Sequence, residues 1–134
     1  MDAHGGWIGS AVDLARFAAA LDDPDHSPLL KPKTFQTLSE APAAPVARKA
    51  DGALGESWYG CGWSVRPVRE GKANYWHSGS LPGTCTLLVR RGDGLSFVAL
   101  FNQRSGKDDA LDPMLNAAVN KIEAWPTRNL FGRS

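Results

Sequence analysis

Between Trp58 and Asn102 the chain alternates apolar and polar residues in short runs divided by turn residues, and a period of two confines this region to antiparallel strands. From Trp58 to Arg66, Tyr59, Cys61, Trp63 and Val65 share one face while Gly60, Gly62, Ser64 and Arg66 share the other. The pattern predicts one strand with a nearly bare second face. Arg69-Glu70-Gly71-Lys72 turns it into a second strand from Ala73 to Gly79, where Tyr75 and His77 point to one side and Trp76 and Ser78 to the other. Thr84 to Arg91 and Leu95 to Asn102, joined through Gly92-Asp93-Gly94, complete a set of four.

Helices are expected at both ends of this run. Ser10-Ala11-Val12-Asp13 reads as a capping box with Asp in place of the usual Glu or Gln, ahead of Leu14, Phe17, Ala18 and Leu21 at helical spacing. That helix should run from Ala11 to Leu21 and end at Asp22-Asp23-Pro24. A shorter one opens near Pro32 with Phe35 and Leu38 on one face. Asp112-Pro113 starts a third, with Leu115, Ala118, Val119 and Ile122 on one stripe and Trp125-Pro126 at its close. The chain thus reads as a single α+β domain over residues 1–134: a helical segment at 1–40, a mobile loop at 41–57, antiparallel strands at 58–102, a C-terminal helix at 111–125 packed on the sheet, and a tail at 127–134 from which Leu130 and Phe131 dock.

Composition removes several functional classes. A formal charge of +1 gives no global field for nucleic acid or anionic lipid, and Arg66, Arg69, Lys72, Arg90, Arg91, Arg104 and Lys107 fall at strand ends and turns, where a solvated rim is expected. Neither nucleic acid nor a membrane is expected as a partner. Residues 1–6 lack the basic start and apolar core of a signal peptide, and no apolar run approaches the length of a membrane span, so the sequence carries no address for a compartment. Cys61 and Cys85 have no metal-ligand spacing; on the apolar phase of their strands, both are expected as buried, reduced thiols. His4, His26 and His77 are far apart and have no carboxylate or thiol spacing to assist them, so neither a metal nor a cofactor is expected.

The richest chemistry lies in His77-Ser78-Gly79-Ser80-Leu81-Pro82-Gly83, which holds an imidazole, two hydroxyls, two glycines and a proline. One reading is a strand running into a Leu-Pro-Gly turn with a half-buried histidine. The other is a site where glycine lets another chain or a ligand approach the backbone. A Ser78-His77 dyad fails on geometry, because consecutive strand residues face opposite ways. The Gly-x-Ser-x-Gly elbow is also absent, since Gly79-Ser80-Leu81-Pro82-Gly83 sets the serine one place early. What remains is a strand lining a cleft and taking an extended ligand alongside its backbone, with the imidazole or the Ser78 hydroxyl on an acidic or carbonyl group.

His77-Ser78-Gly79 resembles the Lys/His-Thr/Ser-Gly motif on the cleft strand of serine β-lactamase-like and penicillin-binding-protein-like hydrolases, especially the class C and esterase-related branch. Gly5-Gly6-Trp7, Ser10-x-x-Asp13-Leu14-Ala15-Arg16-Phe17, Tyr59-Gly60-Cys61-Gly62-Trp63 and the apolar strand ending at Asn102 are similar to that family's blocks in the same order. The resemblance covers roughly residues 4–125. It implies that His77 and Ser78 contact a substrate carboxylate or carbonyl, that Gly79 keeps the strand edge open, and that the Ser80 N–H is one oxyanion-hole donor. The family's nucleophile lies in Ser-x-x-Lys, and no serine here has lysine three residues on; its second motif, Tyr-x-Asn or Ser-x-Asn, is also absent. The expectation is therefore the C-terminal part of such a hydrolase, without catalysis of its own and prone to self-association. The alternative is a small non-catalytic domain whose edge near His77 takes a peptide, a small carboxylate or a second copy.

Overall fold

The period of two becomes a five-stranded antiparallel sheet, ordered β1-β2-β3-β4-β5, in a computed structural model that describes residues 6–104, 106 and 110–128. The expectation for Leu130 and Phe131 lies outside the described residues. The strands are β1 (Trp58–Tyr59), β2 (Ser64–Pro67), β3 (Ala73–Leu81), β4 (Thr84–Arg90) and β5 (Ser96–Phe101). One strand more than expected arises because Trp58 to Arg66 is a hairpin, pairing Trp58 with Val65 and Tyr59 with Ser64.

The two glycines make that reversal, so they do not line a bare strand face. Gly62 has φ of +87°, a left-handed conformation open to glycine at no steric cost. The Gly60 N–H donates to the Trp63 carbonyl at 2.7 Å, and the Cys61 N–H donates to the Leu38 carbonyl at 3.0 Å. A Cβ on Gly60 would stand 2.3 Å from the Leu38 oxygen, which only the absence of a side chain permits. The turn also lifts Cys61 off the sheet. It is exposed, against the expectation of burial, whereas Cys85 is buried, and neither is in a disulfide.

Among the described residues three α-helices cover the sheet: α1 (Ala11–Ala19), α2 (Pro32–Ser39) and α3 (Leu111–Val119). The capping box forms as read, with the Asp13 N–H donating to Ser10 Oγ at 3.2 Å and the Ser10 N–H to Asp13 Oδ2 at 2.9 Å. These bonds, led by the Ser10 N–H, hold the Asp13 carboxyl below its ordinary pKa. Helix α1 stops short of Leu21, which sits in a tighter terminal turn where its N–H reaches the Ala18 carbonyl at 3.0 Å. Helix α3 likewise ends before the expected Trp125; Ile122 and Trp125 are exposed, because Leu111 and Leu115 already occupy the sheet face.

Strand register sorts the core into two layers. On one face Val65, Tyr75 and Leu88 meet Leu21, Leu30, Phe35 and Trp63; on the other Trp76, Cys85, Leu87, Val89 and Phe97 meet Leu111 and Leu115. Two consecutive arginines at the end of β4 fasten these layers from opposite sides. Arg90, expected in a solvated rim, is buried: its Nε donates to Asp22 Oδ1 and its Nη2 to the Asp22 carbonyl, both at 3.0 Å, while its guanidinium lies over the rings of Tyr75 and Phe35. Arg91 turns the other way, donating to Asp93 in the β4-β5 turn and to Asn120 Oδ1 at the end of α3.

Removing Asp22 leaves a buried guanidinium without its charge partner, whereas removing Arg90 leaves a carboxylate that water still reaches. Asp22→Ala is therefore expected to cost about 3 kcal/mol and Arg90→Met clearly less, read from urea unfolding of each variant. For Asp93, burial raises the carboxyl, but bonds from Arg91 and from the Leu95 N–H outweigh it and leave the pKa lowered. A lowered folded pKa contributes stability that is present above the ordinary aspartate value and is lost as pH falls through the folded one. Melting temperature measured against pH should show a steeper acid limb for the native chain than for Asp93→Asn.

Candidate functional site

The site follows from a mismatch in strand length. β2 pairs with β3 only from Ala73 to Trp76, whereas β4 pairs with it up to Leu81, so among the described residues no strand lies beside His77 to Leu81 on the β2 side. The Val68 N–H donates to the Lys72 carbonyl at 2.8 Å and fixes the phase of the hairpin. Antiparallel alternation then turns the peptide groups of Asn74 and Trp76 toward β2 and those of Tyr75, His77 and Gly79 toward β4. Ser78 and Ser80 direct their N–H and C=O groups at the half-open edge.

The side chains of this segment divide between the two faces of the sheet. His77 faces the α1 side and lines an apolar cavity of about 610 Å³ with Leu14, Phe17, Trp63, Leu88 and Leu100. Its Nε2 lies 3.1 Å from the Tyr59 hydroxyl, and the two rings meet edge to face. Ser78 and Ser80 face the α3 side and line a second cavity of about 360 Å³ with Trp76, Arg104 and Asp112. The four residues singled out in the sequence thus gather along one strand edge, with His77 on one side and both serines on the other. His77 is exposed, where the strand-and-turn reading had it half buried.

A contact on the sheet face accounts for Gly79. A Cβ there would meet Thr86 Oγ1 at 2.7 Å, and that hydroxyl donates to the Gly79 carbonyl across the strands. Among the described residues no group of three His, Cys, Asp or Glu side chains gathers to hold a metal, and no helix is long and apolar enough to cross a membrane.

Tyr59 and Arg104 escaped the sequence reading as site residues. Tyr59 reaches His77 only because the chain reverses at Gly60-Cys61-Gly62, and that pair of glycines was the available signal. Arg104 follows Phe101, which pairs with Cys85, which in turn pairs with Ser80; counting register across β4 brings the end of β5 to the Ser80 end of β3.

The half-open sheet edge thus sets outward peptide groups between an imidazole on one face and hydroxyls on the other, a row of hydrogen-bond donors and acceptors. A family model described as Beta-lactamase matches residues 1–121, and the chain belongs to that family. No curated protein matches it.

If Gly79 is set by Thr86 in this way, Gly79→Ala should lower the melting temperature, and combining it with Thr86→Ala should recover most of the loss. Two losses that simply add in the double variant would show that the cross-strand contact is not the reason for the glycine.

Proposed function

We propose that this chain supplies the cleft strand and C-terminal sheet of a serine hydrolase of the class C and esterase-related branch, and that it forms no acyl-enzyme alone. The observation that carries the reading is the half-open segment of β3, whose Ser78 and Ser80 peptide groups face outward, in a chain of this family with no Ser-x-x-Lys. In this reading His77 and Ser78 meet the ligand from the two faces of the sheet, and the Ser80 N–H stabilises a developing oxyanion. Such a donor is worth about 10²–10³ in rate, and only when a nucleophile attacks. The nucleophile then comes from polypeptide outside this sequence.

Exposed apolar side chains support the same reading: among the described residues Trp7, Phe17, Leu81 and Phe101 stand open to solvent. Arg104, beside Ser78 and Ser80, adds a cation suited to a ligand carboxylate. A non-catalytic role in binding an extended peptide draws on the same outward-facing Ser78 and Ser80 groups, which are those that β-augmentation uses.

Incubation with a fluorescent penicillin followed by intact-mass measurement should show no adduct; a stoichiometric adduct would overturn the proposal. Benzylpenicillin titrated into labelled protein should shift the Ser78 and Ser80 amides in fast exchange, with Arg104→Ala weakening binding by about tenfold. Silent amides with benzylpenicillin, together with a response to an extended peptide, would favour the binding domain instead.

A further inference from the structure

We infer that Tyr59 is a positioning residue for His77: its hydroxyl donates to Nε2 and holds the neutral imidazole in the tautomer with its proton on Nδ1, so that the site offers a ligand carbonyl or carboxylate a hydrogen-bond donor. Only the presence of a ligand at His77 rests on the function proposed above; the pair itself is complete within this chain. Tyr59 stands opposite Ser64 and Ser64 opposite Trp76, so the reversal at Gly60 brings the phenol beside the next residue of β3. The hydroxyl lies 3.1 Å from Nε2, the ring centroids are 6.0 Å apart at an interplanar angle of 62°, and His77 is held in register against Leu88. Both partners sit on paired strands, and no other polypeptide is needed to make the contact.

A neutral imidazole has one N–H donor and one lone-pair acceptor, so the bond made by one nitrogen decides what the other can do. Distance alone permits either direction, and chemistry separates them. The phenolic oxygen gives part of its lone-pair density to the ring and accepts weakly, whereas its O–H is more acidic than an aliphatic hydroxyl and donates well. The bare imidazole nitrogen is basic, with its lone pair concentrated in the ring plane. A bond from the phenol to Nε2 therefore joins the better donor to the better acceptor. Among the described residues neither the Tyr59 hydroxyl nor the His77 ring has a second hydrogen-bond partner, and no charged side chain lines the cavity beside His77. Nothing else among them competes to choose the tautomer. With Nε2 occupied, the Nδ1–H is left for the ligand and donates to a carbonyl or carboxylate oxygen; the opposite tautomer would set a lone pair against that oxygen. Neutral His77 is then a donor, with no lone pair on Nδ1 to take up a proton.

The test is the long-range proton–nitrogen correlation spectrum of the imidazoles in the 134-residue chain, recorded about two pH units above the ordinary histidine value, with His77 assigned by its loss in His77→Gln. Protonated and bare ring nitrogens resonate far apart, so the tautomer is read directly. In the native chain Nδ1 should be the protonated nitrogen. Tyr59→Phe keeps the ring and removes the hydroxyl; with circular dichroism unchanged, it should move the tautomer ratio by about fivefold toward Nε2–H, as loss of one hydrogen bond requires. A merely structural role for Tyr59 would leave that ratio where it was. A native chain with its proton on Nε2, or a ratio untouched by Tyr59→Phe, overturns the inference. If Tyr59→Phe fails to fold, the native spectrum decides alone. Benzylpenicillin added to the native chain should shift Nδ1 and leave the tautomer in place; a bound ligand that transfers the proton to Nε2 would overturn the donor role. An Nδ1–H tautomer with no response to benzylpenicillin supports the part given to Tyr59 and counts against the proposed cleft, so the two failures are distinguishable.

Discussion

Two adjacent arginines at the end of β4 hold the layers of this fold together. Successive strand residues face opposite ways, so one pair of side chains serves both faces of the sheet. Arg90 crosses to the α1-α2 connection through Asp22 and lies on Tyr75 and Phe35; Arg91 braces the β4-β5 turn and the end of α3 through Asp93 and Asn120. Helices that share little direct packing are registered to the same strand end. Among the described residues the buried apolar set is small, at eight residues from Ala18 to Leu111, which raises the share of stability resting on these polar fastenings.

The candidate cleft is a by-product of unequal strands. Had β2 continued as far as Leu81, the Ser78 and Ser80 peptide groups would have been consumed in the ladder. It stops at Ser64 on the side of Trp76, where the chain enters the Trp63 turn, and among the described residues no strand follows it beside the remaining half of β3. The same turn delivers Tyr59 beside His77. One reversal thus both ends the β2 pairing and brings a polar side chain to His77.

How far the sequence could be read depended on the range of the interaction concerned. The capping box of Ser10 and Asp13 is local, and it formed as spaced. The alternation of Cys85, Leu87 and Val89 was legible because one face of that strand is buried on its own period. The reversal at Gly60 to Trp63 was hidden because the alternation continues through it, and the close approach to Leu38 that demands a glycine is a contact across more than twenty residues. Burial of Arg90 was equally invisible: a cation at a strand end usually faces water, and only the folded position of Asp22 and two aromatic rings makes another outcome favourable. The His77-Ser78-Gly79-Ser80 segment stood out by its chemistry, but the division of its side chains between two cavities needed the register of three strands.

The contact between α2 and the β1-β2 reversal has a mechanical meaning. Two bonds tie the end of that helix to the turn: the Cys61 N–H on the Leu38 carbonyl and the Trp58 indole N–H on the Ser39 carbonyl, each at 3.0 Å. Tyr59 lies between these anchor points in the chain, and its hydroxyl is set against His77. Its position is therefore inherited from α2, whose Leu38 also lines the cavity beside His77. Sequence drift in Pro32–Ser39 that tilts or shortens the helix would be transmitted along the backbone to the imidazole, so the setting of His77 is adjustable from a neighbouring helix without any change on its own strand.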